Sequence, residues 1–143
     1  MITVKTNKAP TPGDYSQALK VDIGYGWVVQ TAGQTGNLPP MIDKDEPVIA
    51  GGIGPQTRQT LKNLEAVLEA AGADWKNVYK TTVFLEDLGG NKPGFDVAYK
   101  EFFRERGIKN LPARSTVGVA RVPLATEPTL VEIDAVAYIP KIC

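Results

Sequence analysis

The sequence predicts an α+β fold in which one mixed sheet of about six strands carries two helices packed on one face. Three observations lead there. Two segments space their apolar residues at three- and four-residue steps, as amphipathic helices do. Six shorter segments alternate in polarity or are rich in β-branched and aromatic residues, as strands are. Their order, β-β-β-α-β-α-β-β, neither alternates strictly nor segregates strands from helices, which suits helices layered on a mixed sheet. The chain has 143 residues, long enough for a real core, and shows no composition break, internal repeat or low-complexity tract. One domain, 1–143, is expected.

Each element has its own signal. Ile2 to Thr6 alternates as a short strand, and Lys8 to Gly13, with Pro10, Pro12 and Gly13, is a loop. Ser16 to Ile23 and Trp27 to Thr31 form a hairpin across Gly24-Tyr25-Gly26. Gly33 to Gly52 is a long loop broken by Gly36, Asn37, Pro39, Pro40, Pro47, Gly51 and Gly52, with Asp43, Lys44, Asp45 and Glu46 at its tip. Loops of that length in compact domains are often functional. From Gly54 to Ala71, Thr57, Leu61, Leu64, Leu68 and Ala71 make a helical stripe, with Pro55 in the first turn and Gly72 as C-terminal cap. Val78 to Leu85 is a strand with both faces mostly apolar or β-branched. Asp87 to Gly94 is a breaker-rich loop, and Phe95, Ala98, Phe102 and Phe103 mark a second helix ending near Gly107. Arg114 to Arg121 and Leu130 to Ile139 are the last strands, joined across Pro123 to Pro128.

Composition excludes several chemistries. Hydrophobic residues are 43% and charged residues 22%, which argues against disorder. Sixteen Lys and Arg balance sixteen Asp and Glu, so bulk charge lends nothing to nucleic-acid binding. With no histidine there is no Ser-His-Asp or Cys-His system and no His-based zinc site. The single cysteine, Cys143, forms no internal disulfide and no thiolate cluster, and is read as a terminal thiol without a role. Acid–base work is left to carboxylates, Lys, Tyr or bound water. The N-terminus lacks a signal peptide's apolar core, and no run nears the ~20 apolar residues of a membrane span. A soluble, cytoplasmic, metal-free protein is expected.

The last two strands carry the most chemistry. Alternation sets Val117 and Val119 on one face and Arg114, Thr116 and Gly118 on the other. It also sets Val131, Ile133, Ala135 and Ala137 against Glu132, Asp134 and Tyr138. One face is therefore expected to receive the helices and the other to carry Arg114, Glu132 and Asp134. An Arg there can grip a carboxylate by a two-pronged hydrogen-bonded pair, and a Glu beside it can position or deprotonate a water. The competing reading is an Arg114 paired with an acidic neighbour on a wetted face. Tyr15 either lines a cleft or covers the core edge. Trp27 and Trp75 read as packing residues, and Arg58 and Lys62 as a solvated helix face. Gly51-Gly52-Ile53-Gly54 lacks the Gly-Lys-Ser/Thr ending of a phosphate loop.

Several motifs in order give a specific resemblance: Asp14-Tyr-Ser-Gln-Ala18, Thr31-Ala-Gly-Gln34, Gln56-Thr-Arg-Gln59, Lys80-Thr-Thr-Val-Phe-Leu85, Leu111-Pro-Ala-Arg-Ser-Thr-Val117, Val119-Ala-Arg-Val-Pro123 and Val131-Glu-Ile-Asp-Ala-Val-Ala137. Over nearly its whole length the chain resembles the RidA/YjgF family of 2-imino acid (enamine/imine) deaminases. The resemblance implies a chorismate-mutase-like fold and a homotrimer with sheets inside, helices outside and active sites in clefts between subunits. It implies hydrolysis of reactive 2-imino or 2-enamino acids to 2-keto acids and ammonia without a cofactor, nucleic acid or membrane. Arg114 matches the arginine that grips the substrate carboxylate, and Glu132 the acid that orients the water. Thr116 matches a position whose backbone helps bind the carboxylate, Tyr15 a cleft tyrosine, and Gly33 a glycine whose backbone approaches the ligand. The chain departs from the pattern at Asp14, where Pro is usual, at Ala32, where Ser is usual, and in the loops Pro39 to Gly52 and Asp87 to Phe95. These departures bear on substrate range. The alternatives are a subgroup deaminase for a catabolic imine, and a non-catalytic binder of a small carboxylate metabolite. Zero net charge and the lack of histidine argue against a ribonuclease or translation inhibitor.

Overall fold

β-Branched and aromatic residues recur in each extended segment of the chain, and in the computed structural model six such segments join one sheet. The structure describes residues 1–11, 13–39, 48–123 and 128–142. Pro12, the Asp43 to Glu46 loop tip, residues 124–127 of the last connection and Cys143 lie outside the described residues. The strands are β1 (Ile2–Val4), β2 (Ala18–Asp22), β3 (Gly26–Thr31), β4 (Val78–Glu86), β5 (Ala113–Val119) and β6 (Val131–Pro140). The helices are α1 (Ile53–Ala70) and α2 (Leu88–Glu105), and a 3-10 turn spans Trp75–Asn77. The order of elements agrees with the sequence reading.

The strands lie in the order β1-β2-β3-β6-β4-β5. Only β4 and β5 run parallel, because α2 carries the chain back between them; all other pairs are antiparallel. β6 enters between β3 and β4, where Val131, Ile133, Ala135 and Ala137 are buried. These meet Leu61, Leu64, Val67 and Leu68 of α1 and Phe95, Tyr99, Phe102 and Phe103 of α2 in one core. Trp75 closes its end, with its ring edge-on to Phe102 and Phe103 at 5.8 and 4.9 Å. Trp75 is thus the packing residue expected. Among the described residues, no helix is long and apolar enough to cross a membrane.

Three expectations are corrected. The segment Asp87 to Gly94, read as a loop, opens α2 at Leu88. Asp87 has φ 47° and caps the helix, its carboxylate accepting from the Gly90 amide at 3.3 Å and its carbonyl from the Asn91 amide at 2.9 Å. Pro93 only forfeits one early bond there, and Gly94 faces α1 so closely that a Cβ would lie 2.7 Å from the Ile53 methyl. The breakers therefore serve a helix start and a close helix crossing. Second, Arg58 keeps solvent contact on the helix face but also bridges the helices, pairing with Glu101 at 2.5 Å and Glu105 at 3.4 Å on α2.

The third correction concerns faces. Arg114 pairs in register with Thr81, Thr116 with Val83 and Gly118 with Leu85. Thr81, Val83 and Leu85 are buried under the helices, so Arg114, Thr116 and Gly118 lie on the helix side. Glu132 and Asp134 lie on the open side, across from Phe84 and Thr82. Arg114 thus does not share a face with Glu132 and Asp134. β5 is an edge strand, so Val117 is apolar yet 45% exposed on the open side, and polarity alone misassigns the strand's faces.

Polar residues of α1 tie the loops down. The buried Asn63 amide donates to the Thr35 and Asn37 carbonyls at 2.9 and 2.8 Å. The Gln56 amide donates to the Pro128 carbonyl and accepts from the Leu130 amide, both at 2.8 Å. Asn63→Ala leaves two buried carbonyls without that donor and is expected to cost about 2 kcal/mol in urea unfolding, whereas exposed Val97→Ala should change stability by less than about 0.5 kcal/mol.

Candidate active site

The site starts from β6. The amide and carbonyl of Ile133 exchange hydrogen bonds with the carbonyl and amide of Gln34, at 3.0 and 2.9 Å. That pair lays residue 33 directly against Glu132. A Cβ at Gly33 would lie 2.7 Å from the Glu132 carboxyl carbon and 2.9 Å from its Oε2. Only glycine lets the backbone approach a carboxylate so closely.

The N-terminal loop brings the third group. Gln17 is buried, and its side chain accepts from the Thr6 amide at 2.7 Å and donates to the carbonyls of Thr6 and Ala9 at 3.0 Å and of Pro10 at 3.2 Å. Its carbonyl accepts from the Ala32 amide at 2.8 Å. Tyr15, two residues earlier, is half-exposed and feels Glu132: burial raises its hydroxyl's pKa and the carboxylate's charge raises it further. A groove of about 510 Å³ continues from Tyr15 along Leu19, Val21, Val28, Gln30 and Ala32. The structure therefore brings Tyr15, Gly33 and Glu132 together on the open face.

Glu132 is half-buried there. Burial pushes its carboxyl above the usual range, and the charge of Asp134 pushes it in the same direction. Asp134 is raised by burial as well, with the Thr82 hydrogen bond and the Lys80 charge acting against the rise. A carboxyl of raised proton affinity accepts a proton from water more readily than an ordinary carboxylate and can return it to a leaving group.

Arg114 stands apart on the helix side. Its Nη2 donates to Asp96 Oδ1 at 2.9 Å, and its guanidinium lies over the rings of Phe95 and Tyr99 at 5.2 and 4.9 Å. The acidic-neighbour reading of Arg114 thus describes its contacts within one chain. Thr116 is half-buried two residues along the same edge strand, where every second backbone amide points away from β4. Val117, Phe84 and Glu132 are aligned across three strands. From strand spacing and rise, the Arg114 and Glu132 Cα atoms are about 14 Å apart, with side chains on opposite faces. Sequence reasoning placed Phe95, Asp96 and Tyr99 in the second helix but missed their contact with Arg114, because spacing within α2 does not show that it packs over β5. No group of three or more metal-ligating side chains occurs among the described residues.

With this geometry in view, the comparisons are specific. The model of the endoribonuclease L-PSP family matches residues 6–139. A RutC family protein of Pyrococcus horikoshii is 40% identical over 134 residues, covering 93% of this chain and 94% of the relative. The human 2-iminobutanoate/2-iminopropanoate deaminase is 36% identical over 135 residues, covering 94% of this chain and 87% of the relative. The crystal structure of E. coli TdcF with bound serine superposes with a TM-score of 0.80 at 32% identity, covering 99% of this chain and all of that one. The chain belongs to the endoribonuclease L-PSP family, also known as the YjgF/RutC/RidA family.

Because the fold raises the pKa of Glu132, the ionised carboxylate opposes folding, and its cost appears as pH rises through the folded-state value. Glu132→Gln is therefore expected to raise the urea midpoint at pH 7 to 8 and to match the parent protein once pH falls below about 4. Gly33→Ala, which drives a methyl into that carboxyl, should destabilise the fold by about 1–3 kcal/mol in the same assay.

Proposed function

We propose that this protein hydrolyses reactive 2-imino acids and their enamine tautomers to 2-keto acids and ammonia, the chain 1–143 acting as one domain. The observation that carries the reading is the Glu132 carboxyl, raised in proton affinity and pressed against the Gly33 backbone beside Tyr15. The deaminase named among the relatives supports the reaction class. Water adds to the imine carbon, giving a tetrahedral aminoalcohol. The carbon–nitrogen bond then breaks, ammonia leaves and a keto group remains. Glu132 takes a proton from the attacking water and passes it to the imine nitrogen, then takes the hydroxyl proton as the carbon–nitrogen bond breaks and passes it to the departing nitrogen, so both protons of the water leave in ammonia. The imine carbon is already electrophilic, so placing water and anchoring substrate is the work required.

Arg114 anchors the substrate carboxylate through its planar fork, with the Thr116 backbone beside it. Since Arg114 and Glu132 lie on opposite faces, the site is completed by a second copy: Arg114 of one chain meets Tyr15, Gly33 and Glu132 of another. The open sheet face supports such an assembly, for Leu19, Val21, Val28, Phe84, Val117 and Val136 leave apolar surface uncovered there. A homotrimer closes this contact without a free half-site.

A second reading, a non-catalytic binder of small carboxylates, draws on the serine bound to TdcF. The two readings part at Glu132, which catalysis needs and anchoring does not.

2-Iminobutanoate made in place from 2-aminobutanoate by an amino-acid oxidase is expected to decay faster with the protein present. Arg114→Ala and Arg114→Lys should each lower kcat/KM about a hundredfold or more. Glu132→Gln should lower kcat about a hundredfold or more while leaving 2-oxobutanoate binding within a few fold. Unchanged decay of every small aliphatic imine contradicts the proposal.

A further inference from the structure

An arginine on an edge strand has four rotatable side-chain bonds and a neighbouring strand on one side only, so something must hold it if it is to meet a ligand in one geometry. Here α2 supplies the holding groups from a single turn. Phe95 and Tyr99 lie under the guanidinium, and Tyr99 is itself fixed by a 2.9 Å hydrogen bond between its hydroxyl and Thr81 Oγ1. Asp96 sits between them in sequence and takes Nη2 of Arg114.

The way Asp96 divides its two oxygens matters most. Oδ1 accepts from Arg114 at 2.9 Å, and Oδ2 accepts from Lys92 Nζ at 2.7 Å. The carboxylate therefore does not close a two-pronged pair on the guanidinium. Among the described residues, Nε and Nη1 of Arg114 donate to nothing else. Two cations and one anion leave this chain of contacts with a net positive charge. Although burial pulls the Asp96 carboxyl up, the hydrogen bonds from Lys92 and Arg114 hold it below the usual range, so it is ionised at neutral pH.

We infer that Asp96, backed by Lys92, is a positioning residue that pins one prong of Arg114 and turns the remaining N–H groups toward a substrate carboxylate. This deepens the deaminase reading and rests on its assignment of Arg114 as the carboxylate anchor. An Asp96 that merely neutralised Arg114 would compete with the substrate, and its removal would tighten binding. A positioning Asp96 has the opposite signature. Removing it frees the guanidinium to wander over the rings, so binding weakens while the chemical step, centred on Glu132, is spared.

The probe is 2-oxobutanoate, titrated calorimetrically against the full chain and its variants, with 2-iminobutanoate turnover measured separately. Asp96→Ala is expected to weaken 2-oxobutanoate binding about tenfold. It should raise KM by a similar factor and leave kcat within about twofold. Asp96→Asn retains an acceptor oxygen for Arg114 and should lose less affinity than Asp96→Ala. Affinity in Asp96→Ala equal to or tighter than the parent overturns the inference, as does an equal fall in kcat. If the parent binds 2-oxobutanoate through Arg114 but turns over no imine, the deaminase reading fails while the Asp96 titrations still decide this one. If Arg114→Ala binds 2-oxobutanoate like the parent, both fall.

Discussion

Alternation along β6 governs where everything else can go. The strand is hydrogen-bonded on both sides, to β3 and β4, so its side chains have only two directions available. Val131, Ile133, Ala135 and Ala137 take the helix side and make the centre of the core. Glu132 and Asp134 are thereby committed to the open side, half-buried among their neighbours, where burial raises the proton affinity of each and the charge of Asp134 raises that of Glu132 further. A one-residue slip would bury both carboxylates under the helices, a far larger cost than the strain they now carry. The same pairing draws the Gln34 backbone alongside Ile133 and so brings Gly33 onto Glu132. Core and candidate site are two consequences of one register.

The helix layer holds the other half of the candidate site. α1 buries aliphatic residues against β6 and uses buried amides to hold the loops at 35–37 and 128–130. α2 buries aromatic residues and reaches β5 with Phe95, Asp96 and Tyr99. The two helices are joined on their outer side by Arg58 to Glu101 and by Arg106 to Glu65, at 2.5 Å each. These partly exposed pairs add orientation more than stability. The two groups given opposite tasks in the proposed reaction are thus carried by opposite layers: Glu132, the proposed acid–base carboxyl, on the open sheet face, and Arg114, the proposed anion anchor, on the helix-covered edge.

Most elements were legible because their signals are local. The α1 stripe from Thr57 to Leu68, the hairpin around Gly24 to Gly26 and the alternation of β6 all follow from spacing within one segment. What escaped reading depends on partners far away in sequence. Pro93 and three glycines suggest a loop until Asp87 is seen capping a helix and Gly94 is seen touching Ile53. The faces of β5 look inverted because it is an edge strand whose apolar Val117 stays exposed. The closeness of Gly33 to Glu132 rests on a pairing across about a hundred residues, which no local pattern encodes. Arg114 and Glu132 stood out from strand alternation, while Gly33 and Thr116 entered through motif resemblance. The division of those residues between two faces became visible only once β4 paired with both β5 and β6.

That division is the central claim, and subunit complementation tests it most directly. Arg114→Ala and Glu132→Gln chains, each inactive alone, would be unfolded together, refolded as a mixture and assayed on 2-iminobutanoate. If each site takes Arg114 from one chain and Glu132 from another, statistical mixing restores about a quarter of parent activity. A mixture no more active than its two parents, at full refolding yield, would contradict a shared site.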